Sequence, residues 1–219
     1  MKVKEAIHII IAIIIMALTI NLIDLKLNLV EFPVHIIYSA LIILVSVFAK
    51  KINAFKRDIE IEHSIWKFSR WGIYRRSHLK SPVPIGILLP LGGFLLTRGY
   101  IRFLTFLQFD GKATKTKVVK KFGRDRRDTE MEFDFAMISF WGLCATLFLS
   151  LIANYLSNIE LARLALYYSI WNLVPFSQLD GTKILFGSGP LKAGNIFLPP
   201  LLFTGSLIIT IIVSLVVLL

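Results

Sequence analysis

The chain has 219 residues, 56% of them apolar, with a mean hydropathy of +0.71 and a formal charge of +11. That apolar share lies above the roughly 45–50% of ordinary soluble domains. No polar block is long enough to bury a core of its own, so a soluble globular protein is excluded and residues 1–219 are expected to form a single membrane domain. The one cysteine, Cys144, has no partner in the chain; an intramolecular disulfide and a thiolate zinc cluster are both excluded, and within its apolar run it reads as a small packing residue.

A helix needs about 20 apolar residues to cross the hydrocarbon core. The first such run, Ala6 to Ile23, follows Lys2 and Lys4; it is longer than a signal-peptide core and lacks an A-x-A cleavage pattern, so a retained anchor helix is expected. Pro33 to Ala49, Phe135 to Leu156 and Ile196 to Leu219 are the other full-length spans, and Leu161 to Phe176 is a shorter fifth one whose Arg163 snorkels to the interface. His8 and His35, at or near ends of the first two spans, receive no role. Val83 to Phe109 is different: it carries Pro84, Pro90, Gly92, Gly93, Arg98 and Arg102. Broken backbone at membrane depth is tolerated only under cover of protein or water, so a re-entrant hairpin is expected there. Arg98 and Arg102, four apart, are expected to share a face toward headgroups.

The basic residues cluster in segments 50–82 and 108–134, which the positive-inside rule places in the cytoplasm together with the N-terminus. The second segment also holds Asp110, Asp125, Asp128, Glu130, Glu132 and Asp134, so contact with membrane lipids is expected and nucleic-acid recognition is not. Within the first lies Glu60-Ile61-Glu62-His63-Ser64-Ile65-Trp66-Lys67, followed by Trp71 and Tyr74. Its charges and aromatic residues suit an interfacial amphipathic helix.

The string Asn172-Leu173-Val174-Pro175-Phe176-Ser177-Gln178-Leu179-Asp180-Gly181 closes the fifth span. It resembles the N-x-x-P-x-x-x-L-D-G motif of the site-2 protease family, polytopic zinc metalloproteases that cut substrate helices inside the membrane. The resemblance implies that Asp180 is a zinc ligand and that Asn172 and Pro175 shape the substrate site. Pro90-Leu91-Gly92-Gly93 is similar to the glycine-containing hairpin of that family, which implies a substrate-binding role for Gly92 and Gly93. Of the family's Gly-Pro-x-x-Asn pattern, only Gly142 is kept.

In that family H-E-x-x-H supplies two further ligands and the base, because histidines four apart share one helix face. Here His63 fits the first ligand, Ser64 stands at the position of the glutamate, and Lys67 at that of the second histidine. Serine is no carboxylate base, and an ammonium has no lone pair to give a metal. A second register, with Glu60, His63, His78 and Asp180 around a metal, has less support in the spacing.

The sequence therefore predicts an all-α polytopic membrane protein with about five transmembrane helices, a re-entrant hairpin and a site-2-protease-like core. It reads as a non-catalytic homologue that binds or regulates transmembrane segments of other proteins, with no cofactor. Two alternatives stay open: an active zinc intramembrane metalloprotease with unconventional ligands, and a small transporter component that uses Arg98 and Arg102 in a cavity.

Overall fold

The computed structural model describes residues 3–23, 26–27, 30–70, 78–97, 102–113, 127–187, 191–193, 196–198 and 201–218. It is mostly helical. In chain order the described elements are α1 (Val3–Asn21), β1 (Leu22–Ile23), β2 (Lys26–Leu27), α2 (Phe32–Lys56), β3 (Ile59–Ile65), β4 (Phe68–Arg70), β5 (His78–Val83) and α3 (Ile85–Thr97). There follow β6 (Leu107–Ala113), α4 (Arg127–Tyr155), α5 (Ile159–Leu173), α6 (Asp180–Gly187), β7 (Leu191–Ala193), β8 (Ile196–Leu198) and α7 (Leu201–Leu218). The strands form four two-stranded ladders: β1 with β2, β3 with β6, β4 with β5, and β7 with β8.

Among the described residues, three helices are long and apolar enough to cross a membrane: α1, α2, and α4 over Glu132–Tyr155. These match three of the expected spans. α5 has 15 residues, about 22 Å of helix against a hydrocarbon core of about 30 Å. α7 begins at Leu201, not Ile196, because Ile196–Leu198 pairs as a strand. The Pro199–Pro200 pair keeps the residues before it out of the helix, since each proline lacks an N–H and disfavours helical backbone in its predecessor.

The chain divides into two compact units, Met1–Leu41 with His63–Phe109 and Ile42–Glu62 with Asp110–Leu219. In the first, α1 packs against α3. Glu5, Ile9, Ala12, Met16 and Ile20 recur at helical spacing along its buried stripe. At the far end Asn21 Nδ2 donates to His35 Nδ1 over 3.0 Å, which ties the end of α1 to the start of α2 and gives His35 a structural task.

The amphipathic helix expected from Glu60 onward is not found among the described residues: Ile59–Ile65 is a strand and Phe68–Arg70 another, while Trp71 and Tyr74 lie outside the described residues. The reason is period two. Ile59, Ile61, His63 and Ile65 point inward while Glu60 and Glu62 are exposed, an alternation that a helix cannot segregate. Trp66 continues the first unit's framework, its N–H donating to the Phe106 carbonyl (2.9 Å) and its carbonyl accepting from Gly86 (2.9 Å).

Over Val83 to Phe109 the described residues show a helix followed by extended chain. The first half of the segment is one 13-residue helix that runs through Pro90, Gly92 and Gly93, and Arg102 lies in non-helical chain ahead of β6. Arg98 is outside the described residues, as is most of the second basic segment.

In the second unit α4 packs against α5, α6 and α7, and α5 against α6 and α7. Small hydroxyl residues line the seam between α4 and α5: Thr146 Oγ1 and Ser169 Oγ are 2.7 Å apart, and Ser150 Oγ donates to the Ala162 carbonyl at 2.7 Å. Asn158 caps α5 by accepting the Leu161 N–H (3.2 Å). Arg57, just past α2, donates to Asp134 of α4 at 2.6 Å.

Candidate functional site

The site grows from the second half of α2. Ile43, Val47, Lys50 and Ala54 are all buried and recur at helical spacing, so Lys50 continues the inward stripe of an apolar helix. A buried ammonium is stable only beside a partner. Here Lys50 Nζ lies 2.5 Å from Asp180 Oδ2, with the two side chains 4% and 5% exposed.

Backbone proximity makes this meeting possible. The Lys50 stem crosses α4 at Gly142, where a Cβ would stand 2.6 Å from Cε and 2.7 Å from Cγ. Asp180 opens α6, and Gly181 next to it sits against the Leu173 carbonyl, where a Cβ has no room. Leu173 to Gly181 is thus a tight return that brings the ends of α5 and α6 together. A carboxylate in the first turn of a helix also faces the positive end of its dipole.

Around the pair, Tyr168 is fully buried and within hydrogen-bonding reach of Ser46 and Asn172. Asn172, also buried, donates from Nδ2 to the Tyr168 carbonyl at 2.8 Å. Lys183 follows Asp180 by one turn of α6. Burial pushes its ammonium down to about 8; Asp180 opposes that fall, Lys50 adds to it, and Asp110 opposes it more weakly.

His63 belongs to the first unit, where its backbone N–H and its Nδ1 both meet Glu5 Oε1, at 3.1 and 3.0 Å. Its ring lies 6.0 Å from that of Phe109. Ser64 and Glu60 occupy the opposite face of β3 from His63, so neither the H-E-x-x-H register nor the pairing of Glu60 with His63 has the shared helix face it needs. Lys67 is exposed beyond the strand, its N–H donating to Gln108 Oε1 at 3.3 Å. His78 starts β5.

Gly92 and Gly93 lie inside α3: nothing stands within 4 Å of a Cβ at Gly92, whereas one at Gly93 would meet the Phe103 ring. Pro175, exposed after α5, borders an apolar groove of about 360 Å³ between α5 and α7, floored by Leu173, Phe203 and Thr210. Among the described residues no three His, Cys, Asp or Glu side chains converge as a metal would require.

Sequence reasoning thus singled out Asp180 and Asn172 but missed Lys50, which counted only toward membrane orientation. The signal was present: Lys50 keeps the register of Ile43 and Val47, whereas a lysine that only anchors at the interface has no need of it. Electrostatically the arrangement is closed. One carboxylate oxygen is taken by an ammonium, which has no lone pair to share with a metal.

Comparison of the chain with family models, with curated proteins and with solved structures finds no match to any of them.

Proposed function

We propose that the protein is a non-catalytic membrane protein on a site-2-protease-like scaffold that holds or regulates transmembrane segments of other proteins without cutting them. Its N-terminus and basic segments 50–82 and 108–134 face the cytoplasm. The observation that carries this reading is the 2.5 Å pair of Lys50 with Asp180. The resembled family would set the aspartate of the Asn172–Gly181 string against a metal. Here a tethered ammonium neutralises it instead, in a dry interior where like charges repel most strongly. The strand over Ile59–Ile65, which leaves no helix face for an H-E-x-x-H motif, supports the same reading, and the exposed apolar faces of α1, α2 and α4 are suited to lipid and to other helices.

The test is zinc content of the full-length protein purified without chelator, beside cleavage of a transmembrane peptide substrate. The expected result is zinc well below one per chain, unchanged by Asp180→Ala, and no cleavage. Stoichiometric zinc and cleavage that both vanish in Asp180→Ala would overturn the reading.

A further inference from the structure

α2 grips the end of α5 at two levels. Ser46 and Lys50 are one turn apart and share a face of α2, as Tyr168 and Asn172 share a face of α5. Ser46 is within hydrogen-bonding reach of Tyr168, which also reaches Asn172, and Asn172 donates to the Tyr168 carbonyl at 2.8 Å. Lys50 holds Asp180. The return from Leu173 to Asp180 is therefore pinned at one end through Asn172 and at the other through the ion pair.

The return itself is strained. Ser177 has φ 54°, in the left-handed region that costs a residue with a side chain about 1–2 kcal/mol. Two local bonds fold the tip, Phe176 N–H to the Val174 carbonyl at 2.8 Å and Leu179 N–H to the Phe176 carbonyl at 3.3 Å, but both lie inside the return and fix neither end. Such a conformation persists only where the surroundings over-determine it. Val174, Pro175 and Phe176 are exposed on the return, and the first two border the groove between α5 and α7.

We propose that Lys50 is a positioning residue: its ammonium is a built-in counterion that fixes where the return sits, and with it the apolar surface that Pro175 presents. A carboxylate buried at Asp180 requires a cation. The donor set does not fit a metal, since among the described residues no three ligating side chains converge, and α2 supplies a cation that is covalently attached and cannot dissociate. A buried pair adds little net stability over well-packed apolar residues of the same volume; what it can add is the choice of one arrangement over its neighbours. Two apolar side chains in this place could slide past each other, whereas Nζ and Oδ2 at 2.5 Å define a single position. That this surface holds a transmembrane segment rests on the function proposed above, but the position of the return does not. Zinc content tests the first, and amide exchange the second.

The experiment is hydrogen–deuterium exchange on the full-length protein in nanodiscs. Peptides covering residues 173–183 report on the return, where the amides of Phe176, Leu179 and Lys183 are hydrogen-bonded, and peptides covering residues 140–153 of α4 are the internal reference. In the double variant Lys50→Met with Asp180→Leu, neither charge is left buried. Its return should exchange at least about tenfold faster than in the wild type, with the α4 peptides unchanged. Lys50→Ala vacates the space over Gly142 beside Asp180. There ethylammonium, present from extraction onward, should restore most of the lost protection, and ethanol, similar in size but uncharged, should not. This second arm decides the matter if the double variant does not fold. Wild-type protection of the return in the double variant, acceleration shared equally by α4, or recovery with ethylammonium no greater than with ethanol overturns the proposal.

Discussion

Lys50 Nζ and Asp180 Oδ2 meet at 2.5 Å in a buried setting that joins α2 to α6 in the second unit. Such a pair is easily misread as a large net source of stability. Desolvating two charges costs about as much as their attraction returns, but removing one partner strands the other. Lys50→Met or Asp180→Leu alone should each lower unfolding stability by about 3–5 kcal/mol. The double variant should recover most of that loss, because it leaves neither charge buried. Unfolding by denaturant in mixed micelles, run on the single variants and the pair, measures the coupling. Additive losses would show that the two residues do not act on each other.

The three glycines around this region should rank by what a methyl group meets. Gly181→Ala drives a Cβ into the Leu173 carbonyl, a backbone atom that cannot yield, and should cost at least about 4 kcal/mol or prevent accumulation of the protein. Gly142→Ala meets only the Lys50 stem, which can shift, so about 1–3 kcal/mol is expected. Gly205→Ala in α7 meets nothing within 4 Å and should be neutral or gain up to about 1 kcal/mol from helix propensity. Melting of the three purified variants in the same detergent gives the order directly.

Hydrophobic patterning made three spans readable, because runs such as Ala6 to Ile23 leave a helix as the only way to satisfy the backbone in lipid. Over Ile59–Ile65 two periods overlap: His63 and Lys67 are four apart, as on a helix, while isoleucine and glutamate alternate, as on a strand, and the alternation wins because it buries every isoleucine on one face. Asp180 and Asn172 were legible because they stand in a compact string. Lys50 was not, since its partner lies 130 positions away and the pairing depends on the packing of α2, α4 and α6. The helical register of Val47, Lys50 and Ala54 states that the lysine points inward; it does not state toward what.

Glu5 and His63 offer a contrast in the first unit. One carboxylate oxygen of Glu5 takes both the backbone N–H and the ring Nδ1 of His63, with the side chains 3% and 1% exposed. Glu5→Ala leaves two buried groups without that acceptor and should cost about 2–4 kcal/mol. Glu5→Gln keeps an acceptor oxygen and should cost clearly less. Zinc content should be the same in His63→Ala as in the wild type, because His63 is engaged by Glu5. Metal lost on that substitution would return His63 to the ligand set.

The seam between α4 and α5 predicts weak coupling despite a short contact. Thr146 Oγ1 and Ser169 Oγ are 2.7 Å apart, yet each also lies within donating distance of its own helix, Thr146 at 2.9 Å from the Leu143 carbonyl and Ser169 at 2.8 Å from the Ala165 carbonyl. Each hydroxyl has one proton. Removing either side chain leaves the other satisfied by its local carbonyl, so a double-mutant cycle of Thr146→Val and Ser169→Ala should give a coupling near the low membrane average of about 0.6 kcal/mol. Ser150 differs, since its hydroxyl donates across the seam to the Ala162 carbonyl at 2.7 Å. Ser150→Ala should therefore cost more than either single change, about 1–1.7 kcal/mol. A cycle for Thr146 and Ser169 well above 1 kcal/mol would mean that the two protons are ordered across the seam, and that the local carbonyls do not compete for them.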